Sequence, residues 1–118
     1  MKEESDIFLY GNKIEIEEVQ PGMTRQIMGY NHEIMIVKVM FETGAEGYQH
    51  EHRHSQSTYI ESGVFDVTID GKTERLAAGD GFYIPPHVMH GAVCVEAGVL
   101  IDVFSPVRED FLNQGDES

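Results

Sequence analysis

The sequence predicts a single all-β domain, a barrel or sandwich of about nine or ten short strands. Three observations predict it. Apolar and polar residues alternate with a period of two over Lys13–Val19 and Phe65–Asp70, the signature of a half-buried strand. Turn signals punctuate the chain at close intervals, including Pro21-Gly22, Asp70-Gly71, Gly79-Asp80-Gly81 and Pro85-Pro86. Finally, 118 residues with twelve glycines hold no internal run of helical period. A chain of this length buries one core, not two.

Each element follows in order. Residues 1–12 form an N-terminal arm or edge strand, with the polar residues 1–6 frayed. The barrel spans 13–113 and a polar tail follows over 114–118. Lys13–Val19 is the first strand and Gln20-Pro21-Gly22 a turn. Thr24–Tyr30 is the second strand, closed by a turn at Asn31-His32, where His32 is solvated. Ile34–Glu42 is apolar at nearly every position, as expected of a strand covered on both sides. Thr43–Gly47 breaks it, and the stretch Gln49–Gln56 follows. Ser57–Glu61 ends at Ser62-Gly63. Asp70-Gly71 predicts a tight hairpin with positive φ at both positions, returning through Thr73–Leu76. Gly81–Ile84 is short, stopped by the two prolines. Val88–Glu96 and Gly98–Phe104 pair around Ala97-Gly98. Pro106–Leu112 predicts a short helix with Ser105 as N-cap, Pro106 in its first turn, and Glu109 and Asp110 at its positive end.

Composition narrows the function. The net charge of −13 excludes a nucleic-acid partner, which needs a basic footprint. The apolar run Ile7–Tyr10 is too short for a signal peptide or membrane span, so no membrane partner is expected and the protein is read as cytoplasmic. The one cysteine, Cys94, has no internal partner and sits among Ala92, Val93 and Val95, which predicts a small buried side chain rather than a reactive thiol.

Gln49-His50-Glu51-His52-Arg53-His54-Ser55-Gln56 holds three of the six histidines. On a strand, residues two apart share a face about 7 Å apart. His50 and His52 then point the same way, and Gln56 keeps that parity if the strand runs on. Nitrogen and oxygen donors on one side suit Zn, Fe, Ni, Mn or Cu. A solvated polar turn explains the same eight residues equally well, and His54 has the same parity as the other two histidines.

Two spaced patterns then resemble the cupin family. The first runs Gly44, His50, His52, Gln56 and Gly63, with Gln56 where the family has glutamate. The second runs Gly79, Pro85, His87, His90 and Cys94, with His87 in a glycine position and Cys94 in an asparagine position. The resemblance implies a small double-stranded β-helix (jelly-roll) barrel, commonly a homodimer. It implies a divalent transition metal (Ni, Zn, Fe or Mn) on His50, His52, Gln56 and His90. Glutamine is a neutral oxygen donor, so such a site carries the full charge of its metal.

The ending Ile101-Asp102-Val103-Phe104-Ser105-Pro106-Val107-Arg108-Glu109-Asp110-Phe111-Leu112, with Thr24-Arg25-Gln26-Ile27, is similar to the pectin-degradation cupins of the KdgF type. That likeness implies linearisation of 4,5-unsaturated monouronates, small anionic sugars left when lyases break down pectin or alginate. The functional residues it implies are Asp102, Phe104 and Arg108.

The residues suit that chemistry. A metal acts as a Lewis acid on substrate oxygens. Arg108 matches a carboxylate with two parallel hydrogen bonds. Asp102, alone in an apolar strand, needs a partner or a function, and is the acid/base candidate. Phe104 shares its strand face and would shape the pocket. Arg25 is a further candidate for the anion site. Metal and Arg108 supply local attraction, while salt screens the distant acids over about 8–10 Å. Two rivals remain on the same barrel, a small cupin dioxygenase and a non-catalytic sugar- or metal-binding cupin.

Overall fold

The computed structural model describes residues 3–112. The expected tail after Asn113 lies outside them. Eight strands and one short helix are present: β1 Glu17–Gln20, β2 Met23–Tyr30, β3 Met35–Phe41, β4 Glu46–His50, β5 Ser55–Ile69, β6 Lys72–Ala77, β7 Gly81–Ile84, β8 His90–Ser105 and α1 Glu109–Leu112.

All pairings are antiparallel, and the long strands β5 and β8 form the spine. The C-terminal half of β8 lies between β3 and the start of β5, and β7 extends that set on the far side of β5. The N-terminal half of β8 lies between β4 and the end of β5, which carries β6. The spine thus belongs to two sets of strands. Their inner faces meet in one core, where Phe41 of β3 packs edge-on against Phe65 of β5 at 5.1 Å. Alternation explains the choice of residues: Met35, Val37, Val39 and Phe41 are buried, and the residues between them are half-buried.

Several expectations are corrected. Ser62-Gly63 and Ala97-Gly98 are not turns, so nine or ten strands become eight. The register shifts between Ile60 and Phe65, and the two strands pass closely there. A Cβ on Gly63, whose φ is +86°, would stand 2.6 Å from the Glu96 carbonyl oxygen; one on Gly98 would stand 2.1 Å from that of Ser62. Glycine at both positions lets the paired strands bulge without separating.

Lys13–Ile16 does not join β1. The backbone N–H groups of Lys13 and Ile14 donate to the Tyr10 carbonyl, making a turn. The buried Gln26 side chain donates to the carbonyls of Gly11 and Ile14, which holds that turn over β2. Nor is residue 5 frayed, because its backbone N–H donates to the Tyr30 carbonyl. The strand expected to be covered on both sides, β3, is buried on one face only.

The helix begins at Glu109, not at Pro106. Ser105 ends β8 and its hydroxyl donates to the Glu33 carbonyl, so it caps nothing. Val107 N–H donates to the His32 carbonyl, which ties residues 106–108 to the preceding loop. Glu109 and Asp110 do occupy the first turn of α1. The Asp70-Gly71 hairpin forms with φ of 51° and 80°, as predicted. Cys94 is buried and its thiol donates to the Glu96 carbonyl. Among the described residues no helix is long and apolar enough to cross a membrane.

Candidate metal centre and cavity

Strand register builds the histidine site. His50 at the end of β4 pairs with His90 at the start of β8, which brings their rings to 4.4 Å. His52 is not on a strand, contrary to the parity expectation, because β4 stops at His50 and the chain runs irregularly through 51–52 into a bend at 53–54. The His52 carbonyl accepts from His87 N–H at 2.7 Å, and its ring lies 4.8 Å from that of His90. His87, at the glycine position of the second pattern, has a φ of +65° and contacts Glu51 at 3.3 Å. It is thus both a left-handed backbone position and a polar group on the exposed rim.

His50, His52 and His90 can each offer one nitrogen, all within 4.8 Å of one another. Nδ1 of His50 faces the Tyr48 carbonyl at 2.9 Å, that of His52 faces His54 at 3.0 Å, and that of His90 faces Val88 at 2.9 Å. A nitrogen facing a carbonyl carries the proton, so each Nε2 presents a lone pair. The buried Nε2 of His90 has no hydrogen-bond partner among the described residues. His52 Nε2 also stands 3.0 Å from Gln56 Oε1. Gln56 directs its amide N–H groups at Thr58 Oγ1 and Asp102 Oδ1, so Oε1 is an acceptor too. Two acceptors facing each other repel unless a cation or a proton lies between them. Three imidazoles with a second layer of carbonyls therefore fit a divalent metal. Burial and the neighbouring imidazoles push His90 down to about 4, despite its bond to Val88. Burial also lowers His52.

His54 does not join the cluster. Its ring is buried, and Nε2 donates to the Val107 carbonyl at 3.0 Å.

Beside the histidines a cavity of about 430 Å³ opens between the two sets of strands. Gln56, Asp102, Phe104, Arg108 and Arg25 all line it, so the structure brings the predicted residues to one place. Asp102 Oδ1 accepts from Thr58 Oγ1 at 2.7 Å and Gln56 Nε2 at 3.3 Å. Burial pushes its carboxyl up to about 6, against the pull of Thr58, Arg108 and Gln56. Phe104 lies edge-on 5.8 Å from His52 and 5.1 Å from the Arg108 guanidinium carbon, forming the wall between them.

Two features depart from the sequence reading. Arg108 donates Nε and Nη2 to Asp110 at 3.1 and 2.9 Å, so the edge expected to grip a carboxylate is already engaged. Thr58 is the hub between Gln56 and Asp102, and nothing in its sequence neighbourhood marks it. Its signal is visible only once Thr58 is known to face Asp102 across β5 and β8.

An all-β barrel with a histidine cluster at its mouth and a charged cavity beneath defines a metal-binding enzyme scaffold of the jelly-roll class. The cupin domain family model matches residues 37–104. The pectin degradation protein KdgF of Dickeya dadantii (strain 3937) is 43% identical over 98 residues, 81% of this chain and 89% of that protein. The structure of KdgF from Halomonas sp. superposes with a TM-score of 0.86 at 38% identity, covering 91% of this chain and 99% of the other. An RmlC-like cupin from Shewanella frigidimarina NCIMB 400 gives 0.91 at 54% identity, covering 93% and 99%. The chain belongs to the cupin family and, within it, to the KdgF group.

Proposed function

We propose that this protein converts 4,5-unsaturated monouronates from pectin or alginate breakdown into linear keto acids, with residues 13–113 as the functional unit. One observation carries the reading: the Asp102 carboxyl, pushed up to about 6 by burial, lies in one cavity with His50, His90 and Arg108. Identity to a pectin degradation protein supports the substrate class.

Opening the hemiacetal breaks the bond between C1 and the ring oxygen. The anomeric hydroxyl loses its proton, C1 becomes an aldehyde, and the ring oxygen keeps the electron pair as an enolate. A proton added at C4 then gives the 5-ketone. Asp102 suits both transfers, since a carboxyl near 6 has both forms within reach at neutral pH. Thr58 and Gln56 hold its Oδ1, which leaves Oδ2 for the substrate. Arg108 takes the sugar carboxylate end-on, through the N–H groups that Asp110 does not use. Phe104 covers one wall and excludes water there. His50, His52, Gln56 and His90 would hold the metal, which when bound supplies a Lewis acid for substrate oxygens.

Freshly lyase-generated unsaturated monouronate tests the reading. The protein should accelerate loss of the double-bond absorbance in the near ultraviolet. A rate equal to the spontaneous one would overturn it, oxygen uptake would indicate a dioxygenase, and binding without turnover a binding protein.

The outer face of the spine supports a homodimer. Ile36, Met40, Ile101 and Val103 are half-buried there, beside the exposed Tyr59 and Tyr83. The expected solution mass is twice 13.3 kDa, measured by light scattering; a single-chain mass would exclude the dimer.

A further inference from the structure

The proposed chemistry leaves one histidine of the Gln49–Gln56 stretch unused. His54 stands outside the cluster of His50, His52 and His90, yet it is 5% exposed and meets both halves of the site. Its backbone carbonyl faces Nδ1 of His52 at 3.0 Å, and the two rings stand edge to face at 5.5 Å. Its own Nε2 donates to the Val107 carbonyl at 3.0 Å. Val107 immediately precedes Arg108, and its N–H donates to the His32 carbonyl at 3.1 Å. Both polar backbone groups of Val107 are therefore engaged from other loops.

Arg108 needs such an anchor. Its Nε and Nη2 donate to Asp110, and its guanidinium carbon lies 4.2 Å from the Phe111 centroid. Both partners belong to the same C-terminal segment, so they orient the guanidinium within the segment without fixing the segment to the barrel. Phe111 touches Phe104 of β8 edge-on at 5.7 Å, a contact less directional than a hydrogen bond. Arg53 reaches the segment at Glu109, but those side chains are 54% and 44% exposed, where solvent screens the pair. The His54 bond is buried, where a hydrogen bond is electrostatically stronger. Nδ1 of His54 is buried without a hydrogen-bond partner among the described residues. An unpaired buried polar atom is costly, so a side chain that only filled this space would be better apolar. What histidine offers over an apolar residue here is the donor at Nε2.

We infer that His54 is a positioning residue, a strut between the loop of His52 and the backbone beside Arg108, which sets how far the arginine stands from the histidine cluster and so how the substrate carboxylate fits. The inference rests on the proposed uronate chemistry, in which Arg108 takes that carboxylate. A sugar acid held at two points depends on their spacing, and about 1 Å of misplacement costs up to about 10²-fold in rate.

The test compares the unaltered protein with His54→Leu, which fills the space without a donor, and His54→Gln, whose amide nitrogen reaches as far as Nε2. The substrates are the unsaturated monouronate and its neutral methyl ester. His54→Leu should lower kcat/KM for the acid by about tenfold or more, mainly through KM, and for the ester by at least about fivefold less. His54→Gln should recover most of that loss, because it restores the bond to Val107. If His54→Leu does not fold, His54→Asn takes its place, since its amide ends at the level of Nδ1 and falls short of Val107. Equal losses on acid and ester, equal losses in the variants with and without the donor, or no loss in any variant would overturn the strut. Calorimetric titration with a saturated uronate and its methyl ester separates this failure from that of the proposed reaction. Tighter binding of the acid that His54→Leu removes and His54→Gln keeps upholds the strut even if the unsaturated sugar is not turned over. The same acid preference in all three proteins, or none in the unaltered one, overturns it.

Discussion

Asp102→Asn is expected to lower turnover of the unsaturated uronate by about 10²- to 10⁴-fold while making the metal-free protein more stable at pH 7. The two effects share a cause. Burial pushes the Asp102 carboxyl from 3.8 up to about 6, so the fold favours its neutral form. At pH 7 the group is nonetheless mostly ionised, and the fold carries the penalty of a charge it would prefer neutral. At about 1.4 kcal/mol per pKa unit the shift is worth on the order of 3 kcal/mol, an upper figure that Arg108 and the hydrogen bonds already moderate. Asparagine keeps an oxygen for Thr58 and Gln56 and removes the charge.

The sign follows from proton binding. Between about pH 4 and 6 the folded state holds a proton that the unfolded state has released. The stabilising contribution of Asp102 is therefore complete below about pH 4 and is lost as pH rises through about 6. The variant's advantage in urea or thermal unfolding should be present at pH 7 and should close near pH 4. A variant less stable than the parent at both pH values would make Asp102 a structural residue.

That prediction rests on a residue whose importance was legible from its neighbours: a carboxylate inside Val99–Phe104, otherwise apolar, needs a reason. The reason itself was not legible. Thr58 and Gln56 precede Asp102 by more than forty residues and meet it only through the register of β5 against β8. Cross-strand partners are set by where strands bulge, and the bulge here depends on Gly63 and Gly98 passing each other, which the turn-like Ser62-Gly63 and Ala97-Gly98 signals concealed. The histidine cluster shows the converse. Strand parity, which groups His50 with His52, fails at His52 because β4 ends at His50, while the motif spacing still marks the cluster. A loop strapped by His87 N–H to the His52 carbonyl aims the ring where no parity rule reaches. Ser105 and Pro106 carry capping chemistry, but the loop 31–33 binds Ser105 and Val107, so the helix starts only at Glu109.

Removing the metal is expected to lower the rate at least about a hundredfold, since Lewis-acid stabilisation is worth several kcal/mol. His90→Ala should do the same without a chelator. His90 is the informative position because its buried Nε2 has no partner among the described residues and its Nδ1 is fixed by the Val88 carbonyl. In the unaltered protein, added divalent metal should raise the unfolding midpoint, because binding to the folded state alone stabilises it. That rise should be largely lost in His90→Ala. Protons compete for the same nitrogens, and here the direction runs opposite to that of Asp102. Burial holds His90 at about 4, below the usual 6.5, so its neutral form persists in the fold. The corresponding stability is present above about 6.5 and lost as pH falls towards 4. Metal should accordingly remain bound at pH 6, where a free imidazole is mostly protonated, and be released as pH approaches about 4. Full activity after metal has been stripped, verified by elemental analysis, would remove the metal from the reaction. Release already complete at pH 6 would show that the His90 ring is not held neutral by its burial.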